Sequence, residues 1–330
     1  MTLPRRKFLR LAAGAAALPA ASRSASAQAY PTRPLTMVVP FAAGGATDVV
    51  GRILRGPLSD NLGQQVIIEN IGGAGGMTGT ARVAKAAPDG YTLVLGNTGT
   101  HAHNQTLYKH PLYNSLTDFA PVGLIVDLPM VLATRKDFPG DTLAELAAYA
   151  RANATTAQYG SAGAGSTTHL GCALLNAAMG INVAHIPYRG GAPALQDMIA
   201  GRLDYQCITV ATAAQLVANR QIKAIANLTR NRSPIMPDVA TAHEQGVNDF
   251  SADFWTAFFL PKGTPAAIVQ RLNAATMAAM SAASVQQRMT ELGAELVAPE
   301  RRSPEYLQKF VESQIDKWAG PIRAIGAPMD

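Results

Sequence analysis

The sequence predicts an α/β protein of mainly parallel sheets flanked by helices, arranged as two domains around a shared cleft. Three observations carry this. Short apolar runs of β-favouring residues alternate with capped helical runs along the chain, the pattern of repeated β-α units. At 330 residues the chain is about twice the usual domain length, so two cores are expected. Apolar residues at 48% and charged residues at 15% lie in the globular range, which sets aside disordered and fibrous classes.

Leu35 to Val39 reads as a buried strand. The glycine loop Phe41-Ala42-Ala43-Gly44-Gly45-Ala46 follows it, then a helix from about Thr47 to Leu62 that Gly63 stops in the left-handed region. Val66 to Glu69 is the next strand. A second glycine loop, Gly72-Gly73-Ala74-Gly75-Gly76, opens another helix, and the turn Pro88-Asp89-Gly90 leads into the strand Tyr91 to Leu95.

Further along, Thr142-Leu143-Ala144-Glu145 is a capping box that starts a helix. Gln158 to Ser161 is a short strand ending in a third loop, Gly163-Ala164-Gly165-Ser166, with a helix from Thr167. His185-Ile186-Pro187-Tyr188 ends another strand, and Gly190-Gly191-Ala192-Pro193 begins a helix with Pro in its first turn that Gly201 closes. After strands at Leu203 to Ile208 and Ile222 to Leu228 come an Asn/Pro-rich loop and the aromatic run Phe254 to Phe259. A long Ala/Met helix capped by Thr264-Pro265 follows, and a final helix begins near Ser303-Pro304-Glu305.

The formal charge of +6 suggests a nucleic-acid or anionic-membrane partner until the charges are located. Arg5, Arg6, Lys7, Arg10 and Arg23 all precede Tyr30, with no Asp or Glu among them. Removing these five from 28 basic residues leaves 23 against 22 acidic ones, so nucleic acid is not an expected partner. Basic Arg5-Arg6-Lys7, the apolar stretch Leu11 to Ala21 and small residues up to Ala27 or Ala29 have the three parts of a cleavable export signal. The run Arg5 to Arg10 resembles a twin-arginine signal, and the general secretory route is the alternative. The expected product is a soluble periplasmic protein. Its two cysteines, Cys172 and Cys207, read as small buried thiols or as one bridge, the thiols favoured because free Cys is among the most buried residue types.

The glycine loops carry the chemistry. Each lies between a strand and a helix, where main-chain N-H groups are unpaired and the helix dipole is positive, so together they read as anion holders. Thr47, Ser166, Thr167 and Thr168 add hydroxyl donors beside those amides. Nucleotide motifs fail: Gly73 and Gly75 are followed by Thr78 where G-x-G-x-x-G needs Gly, and no P-loop occurs, so no cofactor is expected. Tyr159 stands two residues before Ser161, which removes the G-x-S-x-G elbow. His101-Ala102-His103 is the one hint of a metal, and without Cys or clustered carboxylates nearby it reads as polar residues on a cleft-side loop.

Pro40 to Asp48 with Arg52, Asn70 before Gly73-Ala74-Gly75-Gly76, Asp89-Gly90-Tyr91-Thr92-Leu93, Gly163-Ala164-Gly165-Ser166 with His169-Leu170, and His185-Ile186-Pro187-Tyr188-Arg189-Gly190-Gly191-Ala192-Pro193 follow one another along the chain. In this order they resemble the receptor family of tripartite tricarboxylate transporters, also called Bug proteins.

The resemblance implies a two-lobed periplasmic binding protein of the type II, Venus-flytrap kind: residues 30–127 and 251–330 in one lobe, 128–250 inserted as the other. The lobes would be joined by crossing segments near Asp127 to Val131 and Ser251 to Trp255. It implies a small carboxylate as ligand, gripped by the first strand-helix loop of each lobe. That places Phe41, Ala42, Gly44, Gly45, Ala46, Thr47 and Asp48 on one side and Gly163, Ala164, Gly165, Ser166, Thr167 and His169 on the other, with Gly75, Asn97 and Thr98 lining the same cleft. Asp48 either caps its helix or meets the ligand. Transient membrane transporter subunits are the implied partners of a monomeric, non-enzymatic receptor. The competing classes are an exported enzyme acting on a carboxylate with His169 or Asp48 as base, and a ligand-sensing lobe for a membrane signalling partner.

Overall fold

The structure, a computed structural model, describes residues 30–248 and 250–326, so the leader expected at residues 1–29 lies outside it. Strand β1 (Leu35–Val39) is almost wholly buried and pairs in parallel with β2 (Val66–Asn70) and β3 (Thr92–Asn97). Helices α1 (Ala46–Leu62) and α2 (Met77–Ala84) make the crossovers. Gly63 stops α1 at φ 70°, its N-H donating to Ser59 O at 2.9 Å.

A π-helical turn at Gly99–His103 and the short α3 (Asn104–Leu107) follow β3. The 17-residue β4 (Phe119–Arg135) then serves two sheet regions. Phe119 to Pro129 pairs antiparallel with β9 (Asp253–Pro261), which also pairs with β3. Met130 to Arg135 pairs with β7 (Tyr205–Thr209) and β8 (Ile222–Asn227). The partner thus changes between Pro129 and Met130, within one continuous strand.

The second region repeats the β-α logic. β5 (Gln158–Ser161) pairs in parallel with β6 (Ala184–Pro187) and β7. Around it lie α4 (Leu143–Ala152), α5 (Thr167–Ala178), α6 (Gly191–Ile199) and α7 (Val210–Ala218). The Thr142 capping box forms as expected: Glu145 N-H donates to Thr142 Oγ1 at 3.2 Å, and Thr142 N-H to Glu145 Oε2 at 3.0 Å. Both regions belong to one curled mixed sheet, parallel among the early strands of each lobe and antiparallel where β4 and β9 join them.

The chain closes with α8 (Ala266–Ser281), α9 (Ala283–Glu291), a short β10 (Glu295–Leu296) against β4, and α10 (Pro304–Ala324). The expected single Ala/Met helix is broken at Ala282, whose ψ of 130° leaves the helical region. The aromatic run is the inner part of β9, with Phe258, Phe259 and Trp255 at 2% exposure or less against the core. Cys172 on α5 and Cys207 on β7 are bonded rather than free, their Cα atoms 5.5 Å apart and both sulfurs buried. A helix register placed opposite a strand brings them together, which sequence spacing could not show. No helix among the described residues is long and apolar enough to cross a membrane.

Candidate functional site

Loop shape in the first lobe is set by Asp48. One carboxylate oxygen accepts from Gly44 N-H at 2.8 Å and Arg52 Nε at 2.7 Å, the other from Asn70 Nδ2 at 2.9 Å. Asn70 also donates to Phe41 O at 3.1 Å. Burial alone would raise this carboxyl, and the bonds from Arg52, Gly44 and Asn70 outweigh it and hold the group below its ordinary value. With Gly44 at φ +81°, these bonds turn the N-terminus of α1 toward the other lobe.

The α5 end is built the same way from hydroxyls. Ser166 Oγ caps it, accepting from His169 N-H at 3.2 Å, while Thr168 Oγ1 accepts from Ala162 N-H at 2.8 Å. His169 Nδ1 accepts from Gly165 N-H at 3.2 Å, which assigns the ring proton to Nε2. Its ring stacks on His185 with centroids 4.1 Å apart, and His185 Nε2 meets Ser161 Oγ at 2.6 Å. Burial, with the neighbouring His185, lowers His169 to about 3, and burial lowers His185 to about 4. Both rings are neutral at ordinary pH.

Between the two helix ends lies a cavity of about 40 Å³, walled by Phe41, Phe254, Ala162, Gly45 and Gly191 and floored by Ala46, Thr47, Asn97, Ser166, Thr167 and Thr168. No charged side chain lines it. The amides of Ala46, Thr47, Thr167, Thr168 and Gly191 have no intramolecular acceptor among the described residues, as expected of the first turn of a helix. Two hydroxyls are oriented by what they accept: Thr47 Oγ1 takes Asn97 Nδ2-H at 3.2 Å, and Thr167 Oγ1 takes Gly99 N-H at 2.9 Å. Each keeps its own hydrogen for an acceptor. The cavity therefore offers donors from converging positive helix ends, a chemistry suited to an anion or a carbonyl oxygen.

A larger groove of about 310 Å³ adjoins it at Phe254, lined by Asp127, Arg232, Asp253, Arg301 and Phe310 among others. Six charged residues line it, Arg230 and Glu295 among them; Asp127 pairs with Arg301 at 2.6 Å within the groove, while Arg232 and Asp253 pair with Glu244, at 2.9 Å, and Lys317 outside it. The smaller cavity is the one where unpaired donors converge.

The model of the tripartite tricarboxylate transporter family receptor matches residues 50–327. The chain belongs to this receptor family. A UPF0065 protein of Agrobacterium vitis, from the TAR-I ttuE-ttuC' intergenic region, is 41% identical over 90% of this chain and 86% of its own length. Among solved structures, the periplasmic binding protein BugD is 40% identical with a TM-score of 0.88, over 91% of this chain and all of its own. MatC from Rhodopseudomonas palustris, with bound malate, is 39% identical with a TM-score of 0.87, over 89% of this chain and all of its own. The fold is thus the two-lobed one of periplasmic binding proteins.

Of the residues picked from the receptor sequence, the structure brings Phe41, Gly45, Ala46, Thr47, Asn97, Ser166 and Thr167 to the cavity wall. The others frame it. Asp48 points away into its own cluster, and Gly44 holds the turn. Ala42 N-H donates to Arg189 O at 3.2 Å, and Ala164 O accepts from Tyr108 Oη at 2.9 Å, both across the cleft. Gly75 and Gly163 sit where main chains of the two lobes pass each other, and Gly165 lies against the side chains of Asn104, Leu107 and Tyr108. Thr98 ties β3 to β9, accepting from Trp255 N-H at 3.0 Å and donating to Asp253 O at 3.1 Å. His169 supports the Gly165 turn from behind. His101 stacks on Phe259 at 3.7 Å with Nδ1 on Thr100 Oγ1, and His103 packs on Trp318, so this pair is buried core rather than cleft.

Ala162 and Phe254 had no sequence signal as site residues. Ala162 follows β5 directly and was hidden by the glycines after it. Phe254 looked like one more apolar residue of a strand, and only the return of β9 to the crossing point brings it opposite Phe41.

Proposed function

We propose that the chain is an exported, monomeric periplasmic receptor that closes over a small carboxylate in this cavity and delivers it to the membrane subunits of a tripartite transporter. The observation that carries the reading is the convergence of unpartnered amides from α1 and α5, with Gly191 of α6, on one cavity with no charged side chain. An anion can be held without a cation when amides replace its hydration and the space excludes water. The malate in MatC supports an organic acid. Residues 30–127 and 251–326 form one lobe in this reading and 128–250 the other, with β4 and the start of β9 as the crossing segments.

The state of the candidate bases supports binding over turnover. The two groups nearest to serving as a base are engaged: His169 Nδ1 holds Gly165, and Asp48 holds Gly44, Arg52 and Asn70. A general base needs a free lone pair and a pKa near the working pH.

The test is a thermal-shift and calorimetric panel on residues 30–330 with malate, citrate, succinate, glutamate and benzoate. A ligand specific to the folded state at 100 times its Kd adds about 2.7 kcal/mol of stability. At least one acid is expected to raise the unfolding midpoint and to be recovered chemically unchanged. A panel in which none binds, or in which the bound acid is consumed, overturns the reading. Protein recovered from the periplasm should begin near Tyr30 by N-terminal sequencing.

A further inference from the structure

We propose that Gly72, Gly75, Gly99 and Gly190 set ligand affinity by acting only in the closed form, as gaps through which the main chain of one lobe reaches the main chain of the other. The inference rests on the receptor reading above and concerns how its site shuts.

A Cβ placed on Gly72 would run into Arg189 O, and one on Gly75 into Ala164 O with Ser166 N 3.0 Å away. On Gly99 it would stand 2.9 Å from Thr167 N and 3.2 Å from Gly165 O. On Gly190 it would stand 2.7 Å from Ala42 Cβ and 2.8 Å from Ala42 N. Each obstruction named belongs to the opposite lobe. All but one are main-chain atoms and the exception is a Cβ, so no rotamer change relieves them.

Local conformation does not explain these glycines. Neither Gly72 nor Gly99 has a φ in the left-handed range, and Gly190 at φ 166° is extended, so the backbone of each would accept alanine within its own lobe. Gly75 differs, with φ +60°. What the three others lack is room for a side chain when the lobes meet, and only then. The closeness has a use. It permits the bonds from Ala42 N-H to Arg189 O and from Gly99 N-H to Thr167 Oγ1, which tie one lobe to the other next to residues that line the cavity. Water kept out of that space strengthens every amide-to-anion bond within it.

The seal can be tested with Gly72→Ala and Gly190→Ala, against Gly56→Ala and Gly320→Ala as controls, where an added Cβ meets nothing within 4 Å. Closure is read without any ligand from the pair Gly44→Cys/Ala192→Cys, because a Cβ on Gly44 lies 3.5 Å from Ala192 Cβ, inside disulfide range. This parent pair should cross-link under mild oxidation. Adding Gly72→Ala or Gly190→Ala should slow cross-linking by about tenfold or more, a loss of at least about 1.4 kcal/mol in closed-form stability. Malate, used as the probe ligand, should bind the same two variants correspondingly more weakly. The unfolding midpoint of the ligand-free variants should match that of the parent pair, while the two controls, both in helix interiors, should not fall below it.

Cross-linking within twofold of the parent would overturn the seal. So would an unfolding midpoint that falls in step with it, since that marks an ordinary folding role. A parent pair that never cross-links, while Gly44→Cys alone folds like the unsubstituted chain despite the φ of +81° there, would instead overturn closure itself and the receptor reading with it. The cross-linking arm decides the matter whichever acid binds.

Discussion

Ser166 is the position where the helix-end grip can be separated from the fold. Its hydroxyl both caps α5 and lines the cavity, and the residue is 1% exposed. Ser166→Asp keeps the cap, because aspartate is as good an N-cap as serine, and it places a carboxylate against the amides of Thr167 and Thr168. That charge competes with the ligand for the same donors and repels it. Two unit charges about 4 Å apart at an effective dielectric of about 20 repel by about 4 kcal/mol, and at about 1.4 kcal/mol per decade this is a loss of roughly a thousandfold in affinity. Ser166→Ala removes one hydrogen bond and adds no charge, so affinity should fall by only about 0.5–1.5 kcal/mol, with about 1 kcal/mol lost from the α5 cap. Titration calorimetry with malate, or with whichever acid the panel identifies, gives both numbers, and circular dichroism confirms folding. If folded Ser166→Asp binds within tenfold of the parent, the ligand does not lie against α5 and the grip is misplaced.

Three further outcomes follow from the same geometry. The Cys172–Cys207 bridge closes a loop of 35 residues, for which chain entropy gives about 4 kcal/mol, so Cys172→Ala with Cys207→Ala should lower the urea midpoint by a matching amount, and an unchanged midpoint would show that the bridge does not constrain the chain. His101, His103 and His169 are held neutral with values lowered to about 3 and His185 to about 4, so below 6.5 the unfolded chain takes up protons that the folded one refuses. Stability should therefore be flat above about pH 7 and fall between 6.5 and about 3 to 4, with ligand affinity level from about pH 6 to 8, as thermal melts and calorimetry across that range will show. Asp48→Ala leaves the Gly44 amide without its acceptor, at a cost of about 1–3 kcal/mol where it is kept from water, and leaves Asn70 Nδ2 with Phe41 O alone, so it should weaken binding through the loop although the side chain never faces the cavity.

The sequence made the β-α units legible because each is a local event. Gly63 stops α1, Thr142 with Glu145 starts α4, and Ser166 starts α5, each by bonds within four residues of the signal. The elements that were not legible obey distant neighbours. β4 contains Pro121, Gly123 and Pro129, all of which read as breaks. It survives as one strand because its pairing with β9 bulges between Pro121 and Gly123 and because it changes partners after Pro129. The π-helical turn after Asn97 is likewise shaped by contact, with Gly99 N-H committed to Thr167 of the other lobe. The same division holds in the site: Thr47 and Ser166 are announced by the glycines before them, whereas Phe254 reaches the cavity only through the long return of the chain.

That division bears on specificity. In the proposed grip the donors are main-chain amides at helix ends, and their positions depend on the loop bonds made by Asp48, Asn70, Ser166 and Thr168 rather than on the side chains that would face a ligand. A grip of that kind recognises one carboxylate group and is indifferent to the rest of the molecule. Whatever distinguishes one acid from another must then come from the other groups that line the cavity, namely the rings of Phe41 and Phe254, with Asn97 and the hydroxyls of Thr47 and Thr167. The rings offer shape and exclusion of water, and the two hydroxyls, each keeping its own hydrogen, offer the hydrogen bonds. Selection among acids should accordingly follow length and bulk where the molecule meets the rings, and Phe254, which carries no recognisable motif, is placed to set that limit.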